Sequence, residues 1–274
     1  KGDPSLSSFS NVTKTFGDSD FTVTAPTVAN SLAGAFTYAS GTVGTATIAN
    51  SGGVGTVTIV ASGTTVITAT FTPTDTNNYN TATITMTLTV NKASQTMAWT
   101  PTTSLLVTDS PVTFTAATAL DSAVITYQVT SAGTTGCTVN SSTRALTFSA
   151  AGSCTVSAQA AATDRYVLAS ISQTFTISLA TRTLTIDSGS FTSSYGMLAT
   201  PPTLTSTASA GAGTKTYSSS TTSVCTINSS SGLVAFVAPG TCTLGASIAA
   251  TSSHSSATAS SISFAITSST TTLS

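Results

Sequence analysis

Four cysteines are the residues of this sequence whose type and spacing most directly specify chemistry. Cys137 and Cys154 open and close the segment CTVNSSTRALTFSAAGSC, and Cys225 and Cys242 do the same for CTINSSSGLVAFVAPGTC. A metal site requires shorter cysteine pairs or histidine neighbours, which leaves two readings: disulfides, or pairs of buried free thiols packing as small apolar groups. Equal spacing at matching places in two segments favours disulfides, and disulfides belong to an oxidising exterior.

The remaining reactive side chains are sparse. Every acidic residue is an aspartate and His254 is the only histidine, so general acid–base work would rest on aspartate alone. A Ser-His-Asp nucleophile needs its base held between a hydroxyl and an orienting carboxylate. His254 lies in SSHSSAT with no Asp nearby in sequence, and it reads as a turn residue. Asp18 and Asp20 in GDSD, together with Asp75 in TDTNN, offer oxygen ligands to a calcium ion. The same residues cap their own backbone in turns, and that reading is preferred. Trp99, in TMAWTP, is either an exposed ligand platform or, from its alternation with Met97, a core residue. No catalytic, cofactor-binding or metal-ligating set is assigned, and the chain is not expected to be an enzyme. Three sequons, at Asn11, Asn140 and Asn228, permit N-glycosylation where the host supplies the machinery.

The elements that hold these residues are strands. In TATITMTLTV, Ala82, Ile84, Met86, Leu88 and Val90 alternate with Thr, the period-two pattern of a strand with one face in a core and the other in water. Roughly two residues in five are Ser or Thr, which places hydroxyls where most proteins carry ions. Only 5% of residues are charged and 40% are hydrophobic, so the chain has the apolar content to fold and lacks the charge of a disordered segment. A net charge of −1 provides no basic field for phosphates, which argues against nucleic acid. It also favours association over solubility as a free monomer. No apolar run reaches the length of a membrane span, and membrane insertion is not expected.

Self-comparison reveals a repeat. Tyr38, Tyr127 and Tyr217 recur, as do Gly63, Gly152 and Gly240, each glycine followed by Ile67, Val156 or Leu244 and then Ala69, Ala158 or Ala246. Late in each unit a turn leads into a long alternating strand: Asp75 to Tyr79, Thr163 to Tyr166, and a degenerate third copy in which His254 replaces the tyrosine. The period, about 88 residues, is that of a sandwich domain rather than a solenoid unit. The boundaries expected are 1–92, 93–181 and 182–268, with 269–274 starting a further repeat or linker, since TTTLS at 270–274 resembles TRTLT at 181–185. The opening Lys1-Gly2-Asp3-Pro4 is neither a signal peptide nor an initiator, so the chain reads as a mature piece or fragment. The first repeat places Ala46 and Thr65 where the others carry cysteine, and is expected to hold without a bridge.

The segments KTFGDSDFTVTAPT and FTPTDTNNYNTATITMTLTVNKASQTMAW, with the GSCTV strand of the second repeat, resemble bacterial immunoglobulin-like (Big-type) tandem repeats of large surface and extracellular proteins. The resemblance spans the chain and is weakest in the third repeat. It implies an all-β chain of three tandem immunoglobulin-like Greek-key β-sandwich domains in an elongated array. The function expected is a structural segment, a stalk, fibre or sheath component of a prokaryotic extracellular or cell-surface protein. Its expected partners are itself or neighbouring copies. Two alternatives stand beside it: an adhesin segment binding a surface glycan or protein, and a phage virion appendage. Fold alone does not choose among them.

Overall fold

The computed structural model describes residues 1–268; the expected start of a further repeat or linker at 269–274 lies outside the described residues. In the first repeat the strand Gly63–Pro73 buries Ile67, Ala69 and Phe71 and turns Thr68 and Thr70 outward or aside. It pairs on one side with Ala82–Asn91, in register Ile67↔Met86, and on the other with Gly34–Ser40, in register Tyr38↔Ala69. A short outer strand, Val12–Thr15, runs parallel to Ala82–Asn91 and completes a four-stranded sheet. The facing sheet is Phe21–Thr22, Val54–Ile59 and Ala46–Ser51, antiparallel throughout. The chain therefore crosses between the sheets from Val12–Thr15 to Phe21–Thr22 and back to Gly34–Ser40, then places the hairpin Ala46–Ser51 with Val54–Ile59 in the second sheet and the hairpin Gly63–Pro73 with Ala82–Asn91 in the first, the Greek-key wiring of an immunoglobulin-like sandwich. Both inner faces supply one core: Tyr38, Ile67, Ala69, Met86, Leu88 and Val90 from the first sheet, Ala46 and Val57 from the second.

The strand order recurs twice more. The second repeat lines up Ser104–Leu106, Ala169–Ser178, Gly152–Ala160 and Ile125–Ser131, with Val112–Thr113, Ala145–Thr147 and Thr138–Asn140 as its second sheet. The third lines up Ser194–Gly196, Ile262–Thr267, Gly240–Ile248 and Lys215–Ser219, with Cys225–Ile227 paired to Val234–Phe236. In all three, the outer strand of the larger sheet is the parallel one. Each repeat is entered through the same parallel bridge: Gly2 to Tyr79, Ala93 to Tyr166, Ala180 to His254.

By compactness the chain divides into two units. The first comprises residues 1–100, 116–126 and 158–171; the second comprises 101–115, 127–157 and 172 onward. The first thus joins the whole first sandwich to the entry segment, the short pair Met97–Ala98 with Thr118–Ala119, and the turn at 163–166 of the second repeat. The second holds both cysteine pairs and the third sandwich, whose core gathers Leu184, Leu204, Cys225, Cys242, Leu244, Ile248 and Phe264.

Candidate functional site

In the first unit, the turn at Thr163–Tyr166 of the second repeat is seated on the rim of the first. The turn is built by a hydroxyl: Thr163 Oγ1 accepts from the backbone N–H of Arg165 and of Tyr166, at 3.2 and 3.1 Å. With its backbone satisfied locally, the turn presents two long side chains. Arg165 Nε donates to the carbonyl of Val60 at 3.2 Å, its Nη1 donates to Asp121 Oδ1 at 3.0 Å, and its guanidinium lies 5.4 Å from the centre of the Phe16 ring. Tyr166 meets the same ring edge-on at 5.5 Å. The backbone N–H of Ser62 donates to the carbonyl of Asp164 at 3.0 Å.

These contacts differ in weight. The Arg165–Asp121 pair is exposed on both sides, 42% and 24%, so screening leaves it a small part of the total. The cation over Phe16 contributes about 0.5–1 kcal/mol at a site of this exposure. Aromatic contact and backbone bonds therefore hold the turn more than charge does. The arrangement carries no reacting group; what it does is fix one repeat to the next.

Each repeat is also tied at its entrance. Gln95, buried, donates from Nε2 to the carbonyls of Val167 and Ala161 at 2.8 and 3.2 Å. Arg182, also buried, donates from Nε to Ser255 O at 2.8 Å and from Nη1 to Ala212 O at 3.3 Å, with Nη2 on Ala249 O.

Disulfides join Cys137 to Cys154, with 6.3 Å between Cα atoms, and Cys225 to Cys242, with 5.6 Å. Cys154 and Cys242 lie in the second strand in from the edge of the larger sheet, and Cys225 in a strand of the smaller one. Each bridge thus ties the two layers across the core. In the first repeat, Ala46 and Thr65 are buried at these places. There Thr65 Oγ1 accepts from the Thr42 N–H at 2.9 Å and lies 3.1 Å from Ser40 Oγ. These hydroxyl contacts stay within the larger sheet and the loop that follows Ser40, so no covalent tie joins the two layers of the first repeat here.

The three aspartates considered as calcium ligands each bond a different partner. Asp18 accepts from Thr15 N, Asp20 from the Thr58 hydroxyl, and Asp75 from the backbone N–H groups of Asn77 and Asn78 and the Asn78 side chain. The Asn78 amide, followed by its backbone N–H, holds the Asp75 carboxyl below the ordinary aspartate range. His254 Nδ1 lies 2.9 Å from Ser253 Oγ. Its ring rests on Gly211, a position with φ +67° where any Cβ would come within 2.7 Å of Nδ1. Trp99 is 2% exposed and is a core residue. The sequon asparagines are exposed, and all three use Oδ1 as an acceptor: Asn11 from Thr87 N, Asn140 from Ser142 and Thr143 N, Asn228 from Ser230 and Ser231 N.

Sequence reasoning passed over Phe16, Val60, Arg165, Gln95 and Arg182. One signal was present: with only seven Lys and Arg in 274 residues, each cation is a candidate for a specific partner.

No family model matches the chain, and no curated protein matches it. Among solved structures, it is similar to mouse protocadherin-24 EC1-3 at 13% identity and TM-score 0.36, covering 97% of this chain and 98% of that one. Drosophila N-cadherin EC1-3 gives 11% identity and TM-score 0.35, covering 95% and 100%. Domains 1-6 of the surface layer protein SbsC give 18% identity and TM-score 0.29, covering 97% of this chain and 41% of that one. The fold assignment rests on the strand order and register above, not on these likenesses.

Proposed function

We propose that this chain is a structural repeat segment, a stalk, fibre or sheath component of a prokaryotic extracellular or cell-surface protein, of the bacterial immunoglobulin-like kind. The observation that carries the reading is the seat of the Thr163–Tyr166 turn on Phe16, Val60 and Ser62, which couples successive sandwiches without any reacting group. Two disulfides across sandwich cores support an oxidising compartment. The only histidine is engaged by its own turn, which supports a non-catalytic role. Stretching single molecules of the chain tests the reading: three separate unfolding events in series are expected. Featureless extension, or a single event for the whole chain, contradicts it.

A further inference from the structure

We propose that each sandwich carries a latch that closes one edge of its larger sheet against strand addition by a second copy of the chain. Gly34–Ser40, Ile125–Ser131 and Lys215–Ser219 are edge strands, each lying last in its sheet. Beside the first of them, the Gly41 N–H bonds Val66 O and the Thr74 N–H bonds Ala33 O. Odd-numbered residues therefore face the neighbouring strand, and Tyr38 turns its N–H and C=O outward. An outward row of this kind is a template for another chain's strand, and charged side chains are a common protection. Neither GAFTYAS of the first edge nor ITYQVTS of the second contains a charged residue.

The outward groups of Tyr38 are already taken. Asn50, on the smaller sheet, accepts from the Tyr38 N–H through Oδ1 at 2.7 Å and donates from Nδ2 to Tyr38 O at 2.8 Å. One side-chain amide thus makes the pair of bonds that a neighbouring strand would make. A Cβ at Gly55, the residue opposite Asn50 in its ladder, would come within 2.7 Å of the Tyr38 ring, so the ring lies on the rung that carries the amide. Tyr127 and Tyr217 hold the place of Tyr38 in the other repeats. Ser141 and Ser229 hold that of Asn50, four residues after Cys137 and Cys225 as Asn50 is four after Ala46. The Tyr127 N–H donates to Ser141 Oγ at 2.9 Å, and the Tyr217 N–H to the Ser229 carbonyl at 2.9 Å. Amide, hydroxyl and main-chain carbonyl close the same N–H, so the closure recurs while the closing group changes.

The latch acts within single sandwiches and is independent of the structural-repeat reading. Sedimentation velocity over a concentration series, together with hydrogen exchange at the Tyr38 amide, tests it. Asn50→Ala is expected to speed exchange of that amide and to tighten self-association relative to the parent chain, each about tenfold. Thr37, exposed on the same strand, supplies the control. Thr37→Lys added to Asn50→Ala places a charge on the opened edge and is expected to return association to the parent level while the amide stays fast. Association through misfolding would persist in the double variant. An unchanged Tyr38 amide, an Asn50→Ala chain that associates no more than the parent, or a double variant that associates like the single one overturns the inference.

Discussion

Gln95 and Arg182 occupy the same place in successive repeats, two residues after the entry bridges at Ala93 and Ala180. Each is buried and turns its donors onto the same pair of backbone carbonyls: Ala161 and Val167 for Gln95, Ala249 and Ser255 for Arg182. The two carbonyls flank the turn that leads into the last strand, so one side chain sews the entrance of a repeat to its exit. Arg182 has a third acceptor, Ala212, while Gln95 leaves its own Oε1 buried without a partner among the described residues.

From this follows an ordering of substitutions. Arg182→Leu removes three hydrogen bonds from a buried guanidinium and is expected to cost about 3 kcal/mol of third-repeat stability, whereas Arg182→Gln, which copies the second repeat, costs about 1 kcal/mol. Denaturant unfolding of the two variants measures the difference; equal losses would show that packing, not hydrogen bonding, sets the role of this position.

Reduction separates the repeats. A bridge closing about 15 residues contributes roughly 3 kcal/mol through loop-closure entropy. Hydrogen exchange after reduction is expected to accelerate in Gly152–Ala160 and Gly240–Ile248 and to stay unchanged in Gly63–Pro73, where Thr65 bonds the Thr42 loop instead. Equal acceleration in all three strands would contradict this.

At the seat of the turn, Arg165→Ala is expected to weaken the junction by about 1 kcal/mol. The sandwich cores should keep their exchange protection while the backbone from Asn91 to Gln95 loses its own. Raising the salt concentration should do little, because the Arg165–Asp121 pair is the minor contact. A strong salt dependence would assign the junction to charge after all.

The Asp75 turn has a defined response to acid. Its folded carboxyl is depressed below 3.8, so the stability linked to it is present above the ordinary aspartate value and is lost as pH falls through the lower folded value. A side-chain NMR titration is expected to place the Asp75 midpoint below 3.8, and Asn78→Ala to raise it. A midpoint at or above 3.8 in the parent chain would show that the turn does not hold the carboxylate.

Local pattern made part of this legible. The alternation from Ala82 to Val90 gave its strand, and the recurring Tyr and Gly positions gave the register of the repeats, because side-chain period and domain length are written locally. Cys137 to Cys154 and Cys225 to Cys242 were readable from spacing, and the burial of Trp99 from its alternation with Met97. Arg165 and Arg182 were not readable. Apart from Asp121 and the Phe16 ring, their partners are carbonyls of Val60, Ala212, Ala249 and Ser255, far away in sequence, and a carbonyl has no residue type to betray it. The repeat marked Thr65 as standing where the others carry cysteine, but its partners, the Thr42 N–H and the Ser40 hydroxyl, were not readable, because among so many threonines nothing local shows which hydroxyls are engaged.

The most direct test of the proposed structural-repeat role is the extension released by each unfolding event, with and without reductant. Each bridge encloses a sequence separation of 17 residues, which at roughly 3.5 Å per residue is about 60 Å of hidden length. Two of the three events should lengthen by about that amount on reduction while the third stays unchanged. Events that do not resolve into three, or that lengthen together, would contradict three separately unfolding sandwiches.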